Sequence, residues 1–314
     1  MKVSIVTINY NNAEGLRRTL ESVAAQTYRD IEHIVIDGGS TDNSVDFIKE
    51  YVGKVERMNE LTSERCVIWS SEKDKGIYDA MNKGIEIALG KRIVDAFNRS
   101  EQREDKNKVL PDYVWILNSG DAVAAPNVIE RMVAALEIGN KTLEKGIDIL
   151  IGNKLQVYPG KKVESGRRKV ECVKPQPMDV SMLTFYSGTV PQDAAFVKRE
   201  LFEKYGYFDE KMKICADWKL YLNMIALGGV QPMYVNIDVV LFDMTGISNA
   251  NDELRIAERC AYLKEILPKA VLIDYDTYAF PIRQYQRMKK HHVWPLVHFF
   301  ERVLFKLEKW KVLR

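Results

Sequence analysis

At 314 residues the chain can form one large domain or two small ones with a substantial buried core. Its hydrophobic fraction of 46% and charged fraction of 29% are typical of globular proteins, and no apolar run approaches the length of a membrane-spanning helix. The net charge of +2 gives no indication of nucleic acid, and no nucleic-acid partner is expected. The four cysteines lack metal-type spacing and no secretory leader is recognisable, so we expect free thiols in a cytoplasmic protein.

The first half of the chain alternates predicted strands with predicted helices. Short apolar runs predict strands at residues 2–8, 32–36, 67–70 and 113–117. Between them, amphipathic segments behind capping residues predict helices at 14–25, from 41–43 to about 51, and at 77–89. This order predicts an α/β fold with a mostly parallel sheet, in which ligands bind beyond the carboxyl ends of the strands.

The second half is less regular, and residues 95–112 precede it as a polar insertion of mixed charge. Such a segment is expected at the surface, either as a mobile loop or as a lid or interaction loop. Further on we predict short strands within 148–174, with turns at Pro159-Gly160 and Ser165-Gly166. The remaining predicted elements are strands at 194–197 and 234–243 and helices at 201–205, 217–227 and 252–267.

Aspartates stand where the predicted strands of the first half end. Asp37 ends the second strand, Asp74 follows the third, and Asp121 closes an Asn-Ser-Gly turn after the fourth. A carboxylate in this position can hold a divalent cation, and Gly120 lets a diphosphate or another backbone approach closely. Together with Asp217, which begins a later predicted helix, these carboxylates predict a nucleotide and metal site. For the isolated turn, a plain structural role is the alternative.

The strand-end segments resemble the family 2 glycosyltransferases with the GT-A fold, of the type that assembles bacterial surface polysaccharides. The resemblance is strong over residues 1–125 and looser over 185–250. It implies a mostly parallel, Rossmann-like nucleotide-binding sheet, a smaller mixed sheet on the acceptor side and a C-terminal helical extension. The segments that carry it are Val3 to Asn11, Ser22 to Tyr28, Ile34 to Asp42, Ser71 to Gly84 and Leu117 to Asp121.

The resemblance implies an inverting hexosyltransferase that moves a sugar from a nucleotide-diphosphate sugar, preferably a UDP-sugar, to an acceptor hydroxyl. Polysaccharide, O-antigen or capsule assembly is the expected setting. The residues that it assigns to the nucleotide are Thr7, Asn9, Tyr10, Asp37 and Asp74. From the residues alone, Asp37 can instead cap the next helix, and Asp74 can instead pair with a neighbouring lysine.

Asp121 matches the last aspartate of the family's metal-binding Asp-x-Asp motif, whereas Ser119 replaces the first. One carboxylate with diphosphate oxygens and waters can still hold Mn²⁺ or Mg²⁺. The resemblance therefore implies a metal on Asp121, with Ser119 and Gly120 beside the diphosphate. We expect the absence of the first aspartate to weaken metal binding and not to abolish the use of a metal.

Asp217 is the candidate catalytic base, because its apolar neighbours desolvate it and so raise its basicity. Its alternative role is to cap the helix that follows. Trp218 either stacks on an acceptor sugar or belongs to the core. By resemblance Gln192 and Asp193 face the donor sugar or the acceptor, and the segment 246–249 lies near the diphosphate.

The expected organisation is a GT-A domain at 1–268, divided into a nucleotide half (1–125) and an acceptor half (126–268), followed by a helical extension at 269–314. From Arg283 to Arg314 there are nine Lys or Arg and two Glu, and apolar residues recur at helical spacing. This pattern fits peripheral contact with the inner face of a membrane, as a lipid-linked acceptor would favour. It equally fits packing on the catalytic domain or on a second copy in a homodimer.

Two other functions deserve a test. A sugar-phosphate nucleotidyltransferase needs a Gly-rich basic loop after the first strand, but residues 9–12 read Asn-Tyr-Asn-Asn, which disfavours it. A non-catalytic sugar-binding or scaffold protein of the same fold is the alternative that Ser119 raises.

Overall fold

The computed structural model describes residues 1–62, 65–95, 100–101, 103–162, 168–173, 180–244, 251–290, 299–300 and 302. The chain divides into two compact units. The first comprises Met1–Phe185 and Thr189–Arg259, and the second comprises Tyr186–Gly188 and Cys260–Arg314. Among the described helices, none combines the length and the apolar character needed to cross a membrane.

The described strands belong to one nine-stranded sheet and one short hairpin. In chain order they are β1 (Val3–Asn9), β2 (Ile31–Asp37), β3 (Cys66–Ser71), β4 (Ile93–Val94), β5 (Ser100–Glu101), β6 (Tyr113–Ile116), β7 (Ala122–Val123), β8 (Ile149–Lys162), β9 (Arg168–Val173), β10 (Ala195–Lys198) and β11 (Met233–Asp243).

The described helices follow the strands in the first unit and form most of the second. They are α1 (Ala13–Ala24), α2 (Ser44–Thr62), α3 (Ile77–Ala88), α4 (Val128–Thr142), α5 (Met182–Ser187), α6 (Arg199–Tyr205), α7 (Ala216–Leu222), α8 (Asp252–Ile266) and α9 (Lys269–Lys290). A 3₁₀ turn at Gln192–Ala194 precedes β10, and a π-helical turn at Asn223–Leu227 continues α7.

The nucleotide half of the sheet is parallel, in the order β3-β2-β1-β6. Every residue of β1 and β2 is buried, as expected for strands covered by helices on both faces. Helix α3 packs closely on β1 at Gly84, where an added Cβ would collide with the side chain of Val6. The predicted parallel α/β arrangement is confirmed.

The acceptor half continues the same sheet with mixed pairing. Strand β10 is antiparallel to both β6 and β8, while β11 is parallel to β8. The two reversals bring the C-terminal end of β11 to the same edge as the C-terminal end of β6. There β7, which follows the turn at Asp121, pairs with β11. The predicted smaller mixed sheet is thus an extension of the first sheet.

One predicted turn is wrong. Strand β8 runs through Pro159-Gly160 to Lys162, although proline cannot donate a ladder hydrogen bond. The pairing with β9 shifts register between Tyr158 and Lys162, so the proline falls in the irregular part of the ladder. The predicted turn at Ser165-Gly166 lies outside the described residues.

Several element boundaries also differ from prediction. Helix α2 extends to Thr62, well beyond the expected end near residue 51. Helix α4 has no predicted counterpart, although buried residues such as Met132 pack it against the sheet. Within the insertion at 95–112, the two residues of β5 pair with β4 in an antiparallel hairpin.

In the second unit, Tyr186 stacks on Tyr275 with ring centroids 5.0 Å apart, and its hydroxyl donates to Asp276. Helix α9 carries Pro281 and covers the first residues of the predicted basic segment 283–314. Most of that segment lies outside the described residues, so its membrane and dimer roles stay predictions, as does the expected boundary after residue 268.

Candidate active site

A cavity of about 1130 Å³ opens at the carboxyl edge of the sheet in the first unit. The ends of β1 and β6 and the loops after β2 and β3 contribute to its wall, which is where ligands of parallel sheets bind. The predicted site residues that line it are Asn9, Tyr10, Asp74, Ser119, Gly120, Asp121, Gln192, Asp193 and Asp217.

The turn that carries Asp121 is held from outside by helix α1. The Thr19 hydroxyl donates to the Asp121 carbonyl at 2.6 Å and accepts the Gly120 N–H at 3.1 Å. Gly120 has a φ of +104°, a conformation that residues with a Cβ rarely adopt. The Asn12 amide donates to both the carbonyl and the hydroxyl of Ser119 at 3.3 Å. The turn is therefore fixed before any ligand arrives.

Asp121 is a buried carboxyl group whose ionised form is disfavoured by its surroundings. Its side chain is 4% exposed, and Oδ1 accepts the Asp243 backbone N–H at 2.9 Å. Burial, and secondly the charge of Asp193, raise the pKa of Asp121 to about 8. A cation beside it would relieve both effects.

The carboxylates around Asp121 have basic partners. Lys154 pairs with Asp193 at 2.5 Å, and Arg18 pairs with Asp243 at 3.2 Å. Among the described residues, no comparable ion pair includes Asp121. Of these three neighbouring carboxylates, Asp121 is therefore the one without an ion pair in the described part of the chain.

This donor set fits a divalent metal that is only partly held by protein. The described residues contain no group of three side chains that could ligate a metal on their own. Mg²⁺ and Mn²⁺ sites in nucleotide enzymes commonly use one or two carboxylates and take their other ligands from phosphates and water. Asp121 meets that requirement, whereas a complete protein cage is absent from the described part of the chain.

Asp37 is fully buried and accepts four hydrogen bonds from the protein. Its oxygens accept from the Asn9 amide at 2.8 Å, the Ser71 hydroxyl at 2.7 Å, and the Ser40 N–H and hydroxyl at 2.9 and 2.6 Å. The carboxylate thus holds the ends of β1, β2 and β3 together. Asn9, which does line the cavity, is oriented by it.

Asp74 is the accessible carboxylate of the nucleotide side. Burial raises its pKa, and it accepts a backbone N–H at 3.0 Å. A Cβ on Gly38 would collide with this carboxylate and press on Tyr10, which is 65% exposed. Of the ion pairs in the described residues, none joins Asp74 to Lys73 or Lys75, the alternative role predicted for it.

Thr7 is placed away from the cavity. It is fully buried in β1, and its hydroxyl lies 3.0 Å from Nε2 of His33, whose Nδ1 is 2.8 Å from the Tyr51 hydroxyl. A group with no exposed surface cannot touch a ligand without rearrangement. Its described contacts therefore give it a role in the core.

Asp217 is the second residue of α7, two positions after the N-cap residue Cys215. Oδ1 accepts the Trp218 N–H at 2.7 Å and the Tyr78 hydroxyl at 3.3 Å, and Oδ2 accepts from the Gln192 amide. Burial raises the pKa of Asp217 to about 6 against these stabilising bonds. A carboxylate with this pKa is ionised at neutral pH and can take up a proton.

The neighbours predicted on the acceptor side have separate positions. Gln192 bonds to Asp217, whereas Asp193 lies on the Asp121 side with Lys154. Trp218 is 1% exposed and donates from Nε1 to the Phe185 carbonyl at 3.0 Å. It therefore belongs to the core, the alternative that the sequence left open. The segment 246–249 lies outside the described residues.

Of the site residues that the sequence does not predict, three differ in the signal that they carry. Tyr78, on α3, contacts Asp217 and also donates to the Ile214 carbonyl at 2.5 Å. Asp243 ends β11, so the strand-end rule that identified Asp37 would also have identified it. Lys154 is in the middle of β8, where a lysine carries no signal of function.

Comparison with known proteins matches this chain to one family. The family model described as Glycosyl transferase family 2 matches residues 4–206. An uncharacterized glycosyltransferase of Mycobacterium tuberculosis is 31% identical over 253 residues, covering 79% of this chain and 77% of the relative. A PGL/p-HBAD biosynthesis glycosyltransferase of Mycobacterium bovis is 24% identical over 247 residues, covering 78% of each.

Among solved structures, the fold is similar to that of S. aureus TarS. The crystal structure of TarS 1-349 in complex with UDP-GlcNAc has a TM-score of 0.56 at 16% identity, covering 86% of this chain and 69% of that one. The complex with UDP has a TM-score of 0.53 at 15% identity, covering 88% and 74%. This chain spans 41% of a longer TarS chain. At such identities the likeness concerns the fold alone.

Proposed function

Because the chain belongs to glycosyl transferase family 2 and has the GT-A fold, we propose that it is an inverting glycosyltransferase using a nucleotide-diphosphate sugar. The observation that carries the proposal is the cavity itself. One wall holds the buried carboxylate Asp121, and the same cavity is lined by Asp217, whose pKa is raised to about 6. A carboxylate that can hold a metal ion and a base in one cavity are what displacement of a diphosphate by a hydroxyl requires.

In this proposal the nucleoside occupies the loops after β2 and β3. Asp74 accepts hydrogen bonds from the base or ribose, and Tyr10 covers the nucleoside. Gly38 permits this approach, because a side chain there would displace Asp74. Asp37 acts through Asn9 and the loop that it holds together. We favour a UDP-sugar as the donor, and polysaccharide, O-antigen or capsule assembly as the setting.

Asp217 then takes the proton from the acceptor hydroxyl. The acceptor oxygen attacks the anomeric carbon as the bond to the diphosphate oxygen breaks, so the configuration inverts and no bond to the protein forms. Tyr78 and Gln192 hold the carboxylate in place for this step.

The metal belongs at Asp121, with Ser119 and Gly120 forming the turn around it. When bound, Mn²⁺ or Mg²⁺ would supply positive charge to the departing diphosphate. Lys154 and Arg18 bring further positive charge to the same part of the cavity, although each is paired with a carboxylate. Their positive charge would add to that of the metal, whose protein ligands are fewer because Ser119 replaces the first aspartate of the motif.

The testing experiment measures binding of UDP, GDP, dTDP and CDP by calorimetry and thermal shift, each with and without Mn²⁺. We expect one nucleotide to bind and to raise the melting temperature in a metal-dependent manner. Asp121→Ala is expected to abolish the metal dependence. Asp148→Ala should keep it, because the Asp148 side chain is 40% exposed and lies outside the cavity lining. Absence of binding by all four would overturn the proposal and favour the scaffold alternative.

A further inference from the structure

The side of the cavity that contains the proposed catalytic base Asp217, here called the base side, has a wall that the family match at 4–206 does not cover. It is formed by the loop Lys213–Cys215 and helix α8. The Glu258 carboxylate accepts the backbone N–H groups of Lys213 at 2.6 Å, Ile214 at 3.1 Å and Cys215 at 2.9 Å. Three charge-assisted hydrogen bonds to one carboxylate fix the loop on the helix just before the turn that carries Asp217.

This arrangement places three basic side chains in the cavity wall, Lys213, Arg255 and Arg259. Arg259 is already engaged, because it lies over an aromatic ring of α7 at 5.1 Å. Lys213 is exposed, and within the described part of the chain its ammonium group makes no recorded hydrogen bond or ion pair. Arg255 lies one turn before Glu258 on α8 and also lines the cavity. One of its nitrogens pairs with Asp252 at 2.8 Å, which leaves most of its five N–H donors for another partner.

The acidic groups nearby are already engaged. Asp252 pairs with Arg255, Glu258 holds the loop, and Asp217 accepts bonds from Tyr78, Gln192 and its own helix. On the Asp121 side, by contrast, the basic side chains of Lys154 and Arg18 each face a carboxylate. The base side therefore offers N–H donors on Lys213 and Arg255 that these carboxylates leave unengaged, whereas the basic groups on the Asp121 side are paired.

We propose that Lys213 and Arg255 form a subsite for a phosphate group carried by the acceptor. The inference rests on the proposed function, since it takes the Asp217 side of the cavity as the acceptor side. A phosphate there would contact both cations while a hydroxyl of the same molecule reaches Asp217. Guanidinium and ammonium groups are the side chains that bind phosphate oxygens most strongly. The acceptor is accordingly a phosphorylated compound rather than a neutral sugar.

The experiment titrates inorganic phosphate into the full-length protein by calorimetry, with the donor site saturated by the stabilising nucleotide and Mg²⁺. Lys213→Met and Arg255→Met are each expected to weaken phosphate binding about fivefold or more. Lys211→Met is the matched control, because Lys211 lies two residues before the loop, is exposed and does not line the cavity. It should bind phosphate as the unmodified protein does, and all three variants should keep the nucleotide affinity.

Phosphate binding that is absent, or equally strong in Lys213→Met, Arg255→Met and Lys211→Met, would overturn the subsite. Failure of the proposed function looks different, because no nucleotide then binds at all. In that event the same titration without nucleotide still tests the anion site through its dependence on Lys213 and Arg255.

Two further arms identify the source of the phosphate. A soluble sugar phosphate tests a free acceptor, and phosphatidylglycerol vesicles, compared with phosphatidylcholine vesicles, test a lipid phosphate. Binding in either arm that Lys213→Met weakens supports the subsite and names its source. Binding that Lys213→Met leaves unchanged in both arms contradicts it.

Discussion

Asp217 and Asp121 are two carboxylates of one cavity whose different surroundings suit them to different proposed roles. Both have a raised pKa, to about 6 and about 8, and in both the largest cause is desolvation. Asp217 has a hydroxyl and an amide as donors, so it is ionised near neutral pH and suits proton uptake. Asp121 has a single backbone donor and a neighbouring carboxylate charge, so its ionised form needs an added cation.

Replacing Asp217 tests the base. Asp217→Asn keeps the size of the side chain but removes proton uptake, so kcat should fall by about 10²- to 10⁴-fold. Nucleotide affinity should stay the same, since Asp217 does not contribute to the nucleotide side. Steady-state kinetics and nucleotide calorimetry measure the two effects. Asp209→Asn is the control, because Asp209 pairs with Lys219 outside the cavity. Unchanged turnover in Asp217→Asn would exclude it as the base.

The pH profile tests the hydrogen bond from Tyr78. For the unmodified protein, kcat/KM should rise with pH through about 6 as Asp217 loses its proton. The Tyr78 hydroxyl lowers this pKa, so Tyr78→Phe should move the acidic limb of the profile to higher pH. Tyr205→Phe, which removes a hydroxyl bonded to Gly228 elsewhere, should leave the limb in place. An unmoved limb in Tyr78→Phe would show that this contact has no effect on the base.

At the scale of elements, the site depends on close approaches between loops. Gly38→Ala tests one of them, because the added Cβ would meet the Asp74 carboxylate and displace it. Nucleotide affinity should fall about tenfold, which corresponds to the loss of one charge-assisted hydrogen bond. The matched control is Gly53→Ala in α2, where a Cβ meets only an arginine tip at 3.5 Å. The control should keep its affinity and gain stability, as alanine does in helices.

Calorimetry with the nucleotide measures the first effect, and urea unfolding measures the second. Equal nucleotide affinity in Gly38→Ala and Gly53→Ala would contradict the role of Asp74 in the nucleotide site.

The elements that were predicted best are those with a local cause. Strands β1, β2 and β6 are short and mostly apolar, and the helices between them are amphipathic, so these patterns predict them. Strand β8 was misjudged because proline ordinarily excludes a strand interior, and only the pairing with β9 shows where the irregularity falls. The antiparallel placement of β10 between β6 and β8 is likewise a property of the assembled sheet.

The same distinction holds for the site. Asp121, Asp74 and Asp217 were identifiable from their places in motifs and at element ends. The partners of these residues were not identifiable. Lys154 and Asp193, for example, are far apart in the sequence and form an ion pair only once the sheet is assembled. Thr7, which the resemblance assigns to the nucleotide, is buried, and so is Trp218, for which the sequence leaves both an acceptor contact and a core position open. A motif shows the residue type and position but not the direction of a side chain.

For the molecule as a whole, the buried titratable groups predict how stability changes with pH. His33 has its pKa lowered by burial to about 3, below its ordinary value of 6.5, so its contribution to stability is lost as pH falls below 6.5. Asp121 has its pKa raised from 3.8 to about 8, so its contribution to stability is lost progressively as pH rises from 3.8 through about 8. The contribution of Asp217 is also lost as pH rises, but this loss is complete near pH 6, because its pKa is raised only to about 6.

The metal-free protein should therefore lose stability between pH 6.5 and 8.5, chiefly through Asp121. Asp121→Asn removes the buried charge, so it should raise the free energy of unfolding at pH 8.5 by about 1 to 3 kcal/mol and abolish the decline. Urea unfolding in the presence of a chelator, at both pH values, measures this. An equal decline in Asp121→Asn and the unmodified protein would assign the effect to other groups.

The hydrogen bond between the Asp243 N–H and Asp121 joins positions 122 residues apart. A ribosome releases the parallel half of the sheet long before it releases β11, and contacts of such sequence separation form late in folding. Until then the nascent chain holds Asp121 with neither Asp193 nor Asp243 beside it, as an ordinary solvated carboxylate. The costly burial of charge is thus deferred to the last steps of folding, when the rest of the sheet is already present to support it.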